Sequence, residues 1–171
     1  MIKSDKKLKE LSEIFNKGIN SAIIEAIELI REGTPFEGAI GLLIELYDKT
    51  DDFSVKKTIS DFMNDLKDQT LCEEIIAEIR KQWKSDTISM LVSSCWQSQL
   101  NYSKYSLDLA KVFLQGDYVT AVECLTVIEE SVHHLSKKKK NEVIELIENN
   151  PFSPHNEKTT LTLELISILK K

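Results

Sequence analysis

Thr50-Asp51-Asp52-Phe53-Ser54-Val55-Lys56-Lys57-Thr58-Ile59 is the stretch on which the fold turns. An aspartate just ahead of a helical run can accept from the free amides of the first turn. Val55 and Ile59 follow Asp52 by three and seven residues, which puts them on one stripe of a helix. The same arrangement recurs upstream and downstream. Asn20 stands ahead of Ile23 and Ile27, and Ser85 ahead of Ile88 and Val92, so the three starts lie 32 and 33 residues apart. A fourth start at Gly116 keeps Val119 at the first position but puts Glu123 at the second, where Ala121, Val122 and Leu125 take over the packing. A period in the low thirties with two helices per period is the signature of an α-solenoid. A helical hairpin is too thin to bury its own apolar face, and stacking supplies the missing wall.

Working outward, helical signals fill the chain. Phe36, Ala39, Ile40, Leu43, Ile44 and Tyr47 recur at steps of three and four. Thr34-Pro35-Phe36-Glu37 and Thr70-Leu71-Cys72-Glu73 read as capped helix starts, and Ser153-Pro154 opens another. Gly33 and Gly116 fall where helices must stop, as does Gly18. Gly38 and Gly41 read as intrahelical, permitting close packing. The pattern predicts ten helices over about 3–16, 19–32, 35–49, 53–67, 71–83, 86–98, 102–115, 118–134, 137–149 and 154–170. Links of about two to four residues force neighbours antiparallel, so the units are hairpins. No stretch alternates with period two, and no linker divides 1–171, which reads as one domain. The class is all-α.

The Asp52 segment resembles the start of the second helix of a HEAT repeat. That family favours an Asp, then Val three later followed by a basic residue, here Lys56, then a small or aliphatic residue. The other copies are degenerate, with Ile24, Ser89 and Thr120 at the basic position. The resemblance spans about 19–134 in outline. It implies an α-α superhelix of the HEAT/armadillo-like class, right-handed, with about five antiparallel hairpins. It also implies a concave face, lined by second helices, that binds macromolecules.

Composition narrows the classes. In 171 residues, 42% are hydrophobic and 29% charged, enough for a core and too apolar for wholesale disorder. Five Gly and three Pro starve an all-β design of turn material. No apolar run approaches the ~18 residues that cross a bilayer, and Met1–Glu10 reads as a lysine-rich helical run. Twenty-two Lys+Arg against 28 Asp+Glu give a net charge of −6. A nucleic-acid surface needs a concentrated basic face, and the one run, Lys137–Lys140, reads as a solvated helix start. Cys72, Cys95 and Cys124 sit in apolar patterns as small buried hydrophobes. Free thiols point to a reducing, cytoplasmic compartment.

Catalytic constellations are weak. Glu130-x-x-His133 has di-iron spacing but no second copy, which favours a helix-end role. His155 has no evident partner. A nucleophilic cysteine needs an exposed site with a depressed pKa. Adjacent carboxylates diverge by about 100° on a helix, so they do not converge on one substrate. No phosphate loop is present. The expectation is therefore no enzyme and no cofactor or metal. The aromatics Trp83, Trp96, Tyr102 and Tyr105 read either as core or as the lip of a groove. Opposite the apolar stripes of the second helices lie Lys56, Ser60, Ser89, Ser93, Gln97, Thr120, Glu123 and Glu130. This mixed surface, basic at one end and acidic at the other, suits a protein or peptide partner. The alternative that the resemblance brings is a HEAT-like nucleic-acid-binding or base-repair protein, for which only Lys56 and Lys57 qualify clearly.

Overall fold

Apolar stripes at helical spacing become helices when a neighbouring stripe covers them. A computed structural model describes residues 5–33, 36–151 and 156–171. Among the described residues there are ten α-helices and no strand. They are α1 (Asp5–Lys17), α2 (Asn20–Glu32), α3 (Ala39–Lys49), α4 (Phe53–Asn64), α5 (Cys72–Ile79), α6 (Ser85–Gln97), α7 (Ser106–Gln115), α8 (Tyr118–Ser131), α9 (Lys137–Glu148) and α10 (Thr159–Lys170). The all-α expectation holds, and each expected helix has a counterpart.

The differences lie at the ends. Thr34-Pro35 and Ser153-Pro154 fall outside the described residues, as does His155. Helix α3 starts at Ala39, four residues later than expected, because Gly38 is left-handed at φ 86°. Gly38 is therefore not intrahelical. A Cβ there would stand 3.2 Å and 3.3 Å from the Leu8 methyls, so it does serve close packing. Asp68, not Thr70, caps the single 3₁₀ turn leading into α5 by accepting from the Thr70 amide. Gly18, Gly33 and Gly116 end helices as expected.

The chain divides into two compact units, residues 1–66 and 67–171. In the first, α1 packs on α2 and α3, and α4 packs on α2 and α3. Its core holds Ile23, Ile27, Ile40, Leu43, Ile44, Val55, Ile59, Phe62 and Met63. A second cluster joins Leu11, Ala26, Phe36 and Ala39. In the second unit α5 packs on α6, α7 on α8 and α9, and α8 on α6 and α10, while α9 also meets α10. Ile75, Ile76, Leu91, Val92, Phe113, Ile128, Val143 and Leu165 fill it. All three cysteines are buried as expected.

Within each unit, hydrogen bonds join residues 32 apart, the first helical residue of one helix to the N-cap of the helix two further on in the case of α2 with α4 and α6 with α8. Asn20 donates from Nδ2 to Asp52 Oδ2 at 2.7 Å, and the Ser85 hydroxyl donates to Asp117 Oδ2. Gln69 and Asn101 exchange two bonds, of 2.8 Å and 2.9 Å, between side chain and backbone. Asp52 caps α4 through the Val55 amide and Asp117 caps α8 through the Thr120 amide, at 2.9 Å and 2.8 Å. The periodic start thus sits one residue later in the last copy than the sequence suggests. Counting from Asp117, the buried positions three and seven residues on are Thr120 and Cys124, whereas Val119 is 58% exposed. In α6 the N-cap is Lys84, and the matching pair is Thr87 and Leu91, with Ile88 only half-buried.

Candidate functional site

The residues expected on second-helix faces divide between the units. In the first, Lys56 and Ser60 share a face of α4. The Lys56 ammonium stands over the Tyr47 ring at 4.7 Å, and the Ser60 hydroxyl donates to the Lys56 carbonyl at 3.0 Å.

In the second unit, α6 and α8 pack side by side. Ser89, Ser93 and Gln97 follow one another along α6, half-buried to exposed, and Gln97 donates from Nε2 to Ser93 Oγ at 2.8 Å. Glu123 and Glu130 lie two turns apart on α8. The Trp96 indole donates to Glu123 Oε2 at 2.6 Å, fixing the ring against the neighbouring helix while 38% of the residue stays exposed. Thr120 corrects the expectation. It is 1% exposed, because the cap at Asp117 turns it onto the buried stripe, so it lines no surface.

Below Trp96 a cleft of about 140 Å³ opens where α6 and α8 end, lined by Trp96, Gln99, Leu100, Val127, Glu130 and His134 among others. Gln99 is the one non-glycine residue at positive φ among the described residues, at 60°. Sequence reasoning missed Gln99 and His134. The available signal was the lack of a glycine after α6, where a helix usually takes one to turn left-handed.

The four aromatics do not form one cluster. Tyr102 is fully buried, with Tyr105 at 6.5 Å between ring centres. Trp83 donates to the Glu78 carbonyl at 3.0 Å and closes the end of α5. Trp96 alone forms a lip.

Chemically reactive arrangements are scarce. Burial pushes the Cys72, Cys95 and Cys124 thiols above the ordinary cysteine value, and the Tyr102 hydroxyl beside Cys72 and Cys95 is pushed up by the same cause. Buried thiols held protonated are poor nucleophiles and poor metal ligands. Among the described residues no group of three or more His, Cys, Asp or Glu is placed to hold a metal ion. Glu130 and His133 are both exposed, His133 in the 3₁₀ turn that follows α8. Lys137 and Lys138 are exposed at the start of α9, which Ser136 caps through the Lys139 amide. No helix among the described residues is long and apolar enough to cross a membrane.

The arrangement is that of an all-α protein with a polar face bearing Trp96 on α6 and α8 of its second unit. Neither a family model, nor a curated protein, nor a solved structure matches the chain.

Proposed function

We propose that the chain is a non-enzymatic helical-repeat scaffold of the HEAT/armadillo-like class, a right-handed superhelix of about five hairpins that holds a protein or peptide partner on its second-helix faces. The architecture rests on the period in the low thirties in the sequence, with which the bonds from Asn20 to Asp52 and from Ser85 to Asp117 are compatible. The partner role is carried by one observation, the Trp96 ring held by Glu123 at the edge of an open cleft. An oriented, partly exposed tryptophan costs little entropy to bury and is a favoured anchor at interfaces. Buried cysteines suit the cytoplasm. Charge argues against nucleic acid, since the second helices of this acidic chain carry few cations.

Affinity capture from a native lysate at moderate salt, with and without nuclease, tests the reading. The expected result is protein recovered by the parent chain and lost with Ser93→Arg, whose thermal melt matches the parent. Recovery of nucleic acid alone would replace this reading with the nucleic-acid one. Capture unaffected by Ser93→Arg would move the partner off α6.

A further inference from the structure

The cleft at the ends of α6 and α8 has a definite chemical bias. Its carboxylate, Glu130, forms no ion pair among the described residues, and a second one, Glu123, holds the Trp96 indole beside it. Among the described residues no lysine or arginine lines the cleft, and none stands over the Trp96 ring, although lysines cover Phe36, Tyr47, Trp83 and Tyr105. Leu100 and Val127 supply an apolar wall, while Gln99 and Asn101 place amide groups at the mouth. At about 140 Å³ the space is well below the several hundred Å³ of small-molecule pockets and suits the end of one side chain.

We propose that this cleft captures a single lysine or arginine side chain of a protein partner. The cation lies against the Trp96 face and pairs with Glu130, and the aliphatic stem runs along Leu100 and Val127. A tryptophan face attracts a cation more strongly than other rings do, and its N–H bond to a carboxylate keeps that face in place before binding. Negative charge on the cleft and the absence of lysine and arginine from its lining, where His134 is the one basic group, favour a cationic guest. The assignment rests on the partner-binding reading above and narrows it to the chemistry of the anchoring residue.

Proton–nitrogen correlation spectra of the full chain give the test, because the two tryptophans yield two indole resonances and Trp96→Phe identifies one of them. Blocked tripeptides with a central lysine, arginine, glutamine or glutamate are the probes. The expected result is a saturable shift of the Trp96 indole with the lysine and arginine peptides only, and an unmoved Trp83 indole. Glu130→Gln, at an exposed position, should keep the parent melt and weaken the lysine peptide about fivefold, the size of an exposed charge pair. An equal response to the glutamine peptide, no saturable response at all, or unchanged affinity in Glu130→Gln would overturn the assignment. A Trp96 shift that follows protein concentration without peptide would overturn it in favour of a second copy of the chain. If the peptides fail while Ser93→Arg still loses captured protein, the cationic anchor is wrong and partner binding stands. If the peptides fail and the parent chain captures no protein, the binding reading falls with it.

Discussion

The Lys158 ammonium, on a residue 6% exposed, donates to the carbonyls of Phe113, Leu114 and Gly116 at 3.0 Å, 2.9 Å and 2.7 Å. These belong to the end of α7, where carbonyls lack partners within the helix. Lysine here acts as a C-terminal cap reaching back 42 to 45 residues in sequence. Lys158→Met keeps the apolar stem but removes every donor, and the expected loss is about 1–3 kcal/mol, after discounting the cost of burying the charge. Urea unfolding checks it, and an unchanged midpoint would deny the cap. Asp117 makes a prediction in pH. The bond from the Ser85 hydroxyl, then that from the Thr120 amide, holds its carboxyl below the ordinary aspartate value. Between the ordinary and the lowered value the unfolded chain binds the proton more readily than the folded one, so stability falls as pH drops through that window. Asp117→Asn should flatten the acid limb of a stability-against-pH curve below about pH 4. A limb identical to the parent's would assign acid sensitivity to other carboxylates.

At the scale of elements, the ends of helices carry the information. Gln99 takes the left-handed position after α6, where glycine costs nothing. Gln99→Gly should stabilise the chain by about 0.5–1 kcal/mol, the strain of a side chain at positive φ less the added freedom of the unfolded state. The same variant should weaken the cationic peptides, since the amide leaves the cleft. A higher melting temperature with unchanged peptide affinity would mean that Gln99 lies beside the site and takes no part in it. Gly38→Ala should go the opposite way, losing about 1–2 kcal/mol by combining φ 86° with a crowded Leu8. These ends also mark what the sequence could show. The stripe Phe36, Ala39, Ile40, Leu43, Ile44 and Tyr47 was legible and is buried throughout, because burial is what periodicity records. The start of α3 was not legible, since the left-handed turn at Gly38 answers to Leu8 on another helix. Thr120 failed for a related reason. One residue of slip in the cap, from Gly116 to Asp117, rotates a helix by about 100° and exchanges a surface position for a core one. Trp96 was legible as an anchor candidate, whereas its division from Tyr102 and Trp83 depends on which helices pack.

For the whole molecule, the two compact units make a sharper prediction than either helix or residue. Ile59 is fully buried in the unit of residues 1–66, and both tryptophans belong to the unit of residues 67–171. Far-ultraviolet dichroism therefore reports both units, and tryptophan emission reports only the second. Ile59→Asp buries a carboxylate without a partner, a cost of several kcal/mol, enough to exhaust the stability of a unit that small. The expected outcome is a chain that loses the dichroism of α1–α4 yet keeps native emission from Trp83 and Trp96. Because the cleft is built wholly from α6, α8 and their flanking turns, the Trp96 indole of this variant should still answer the lysine peptide. If all the hairpins unfolded as one cooperative whole, damage would spread along the chain, and emission would be lost together with dichroism. That result would make residues 1–171 one cooperative unit and would tie the cleft to the integrity of α4. Retained emission with a lost peptide response would instead place part of the binding surface on residues 1–66, where the half-buried Lys56 and Ser60 are the candidates.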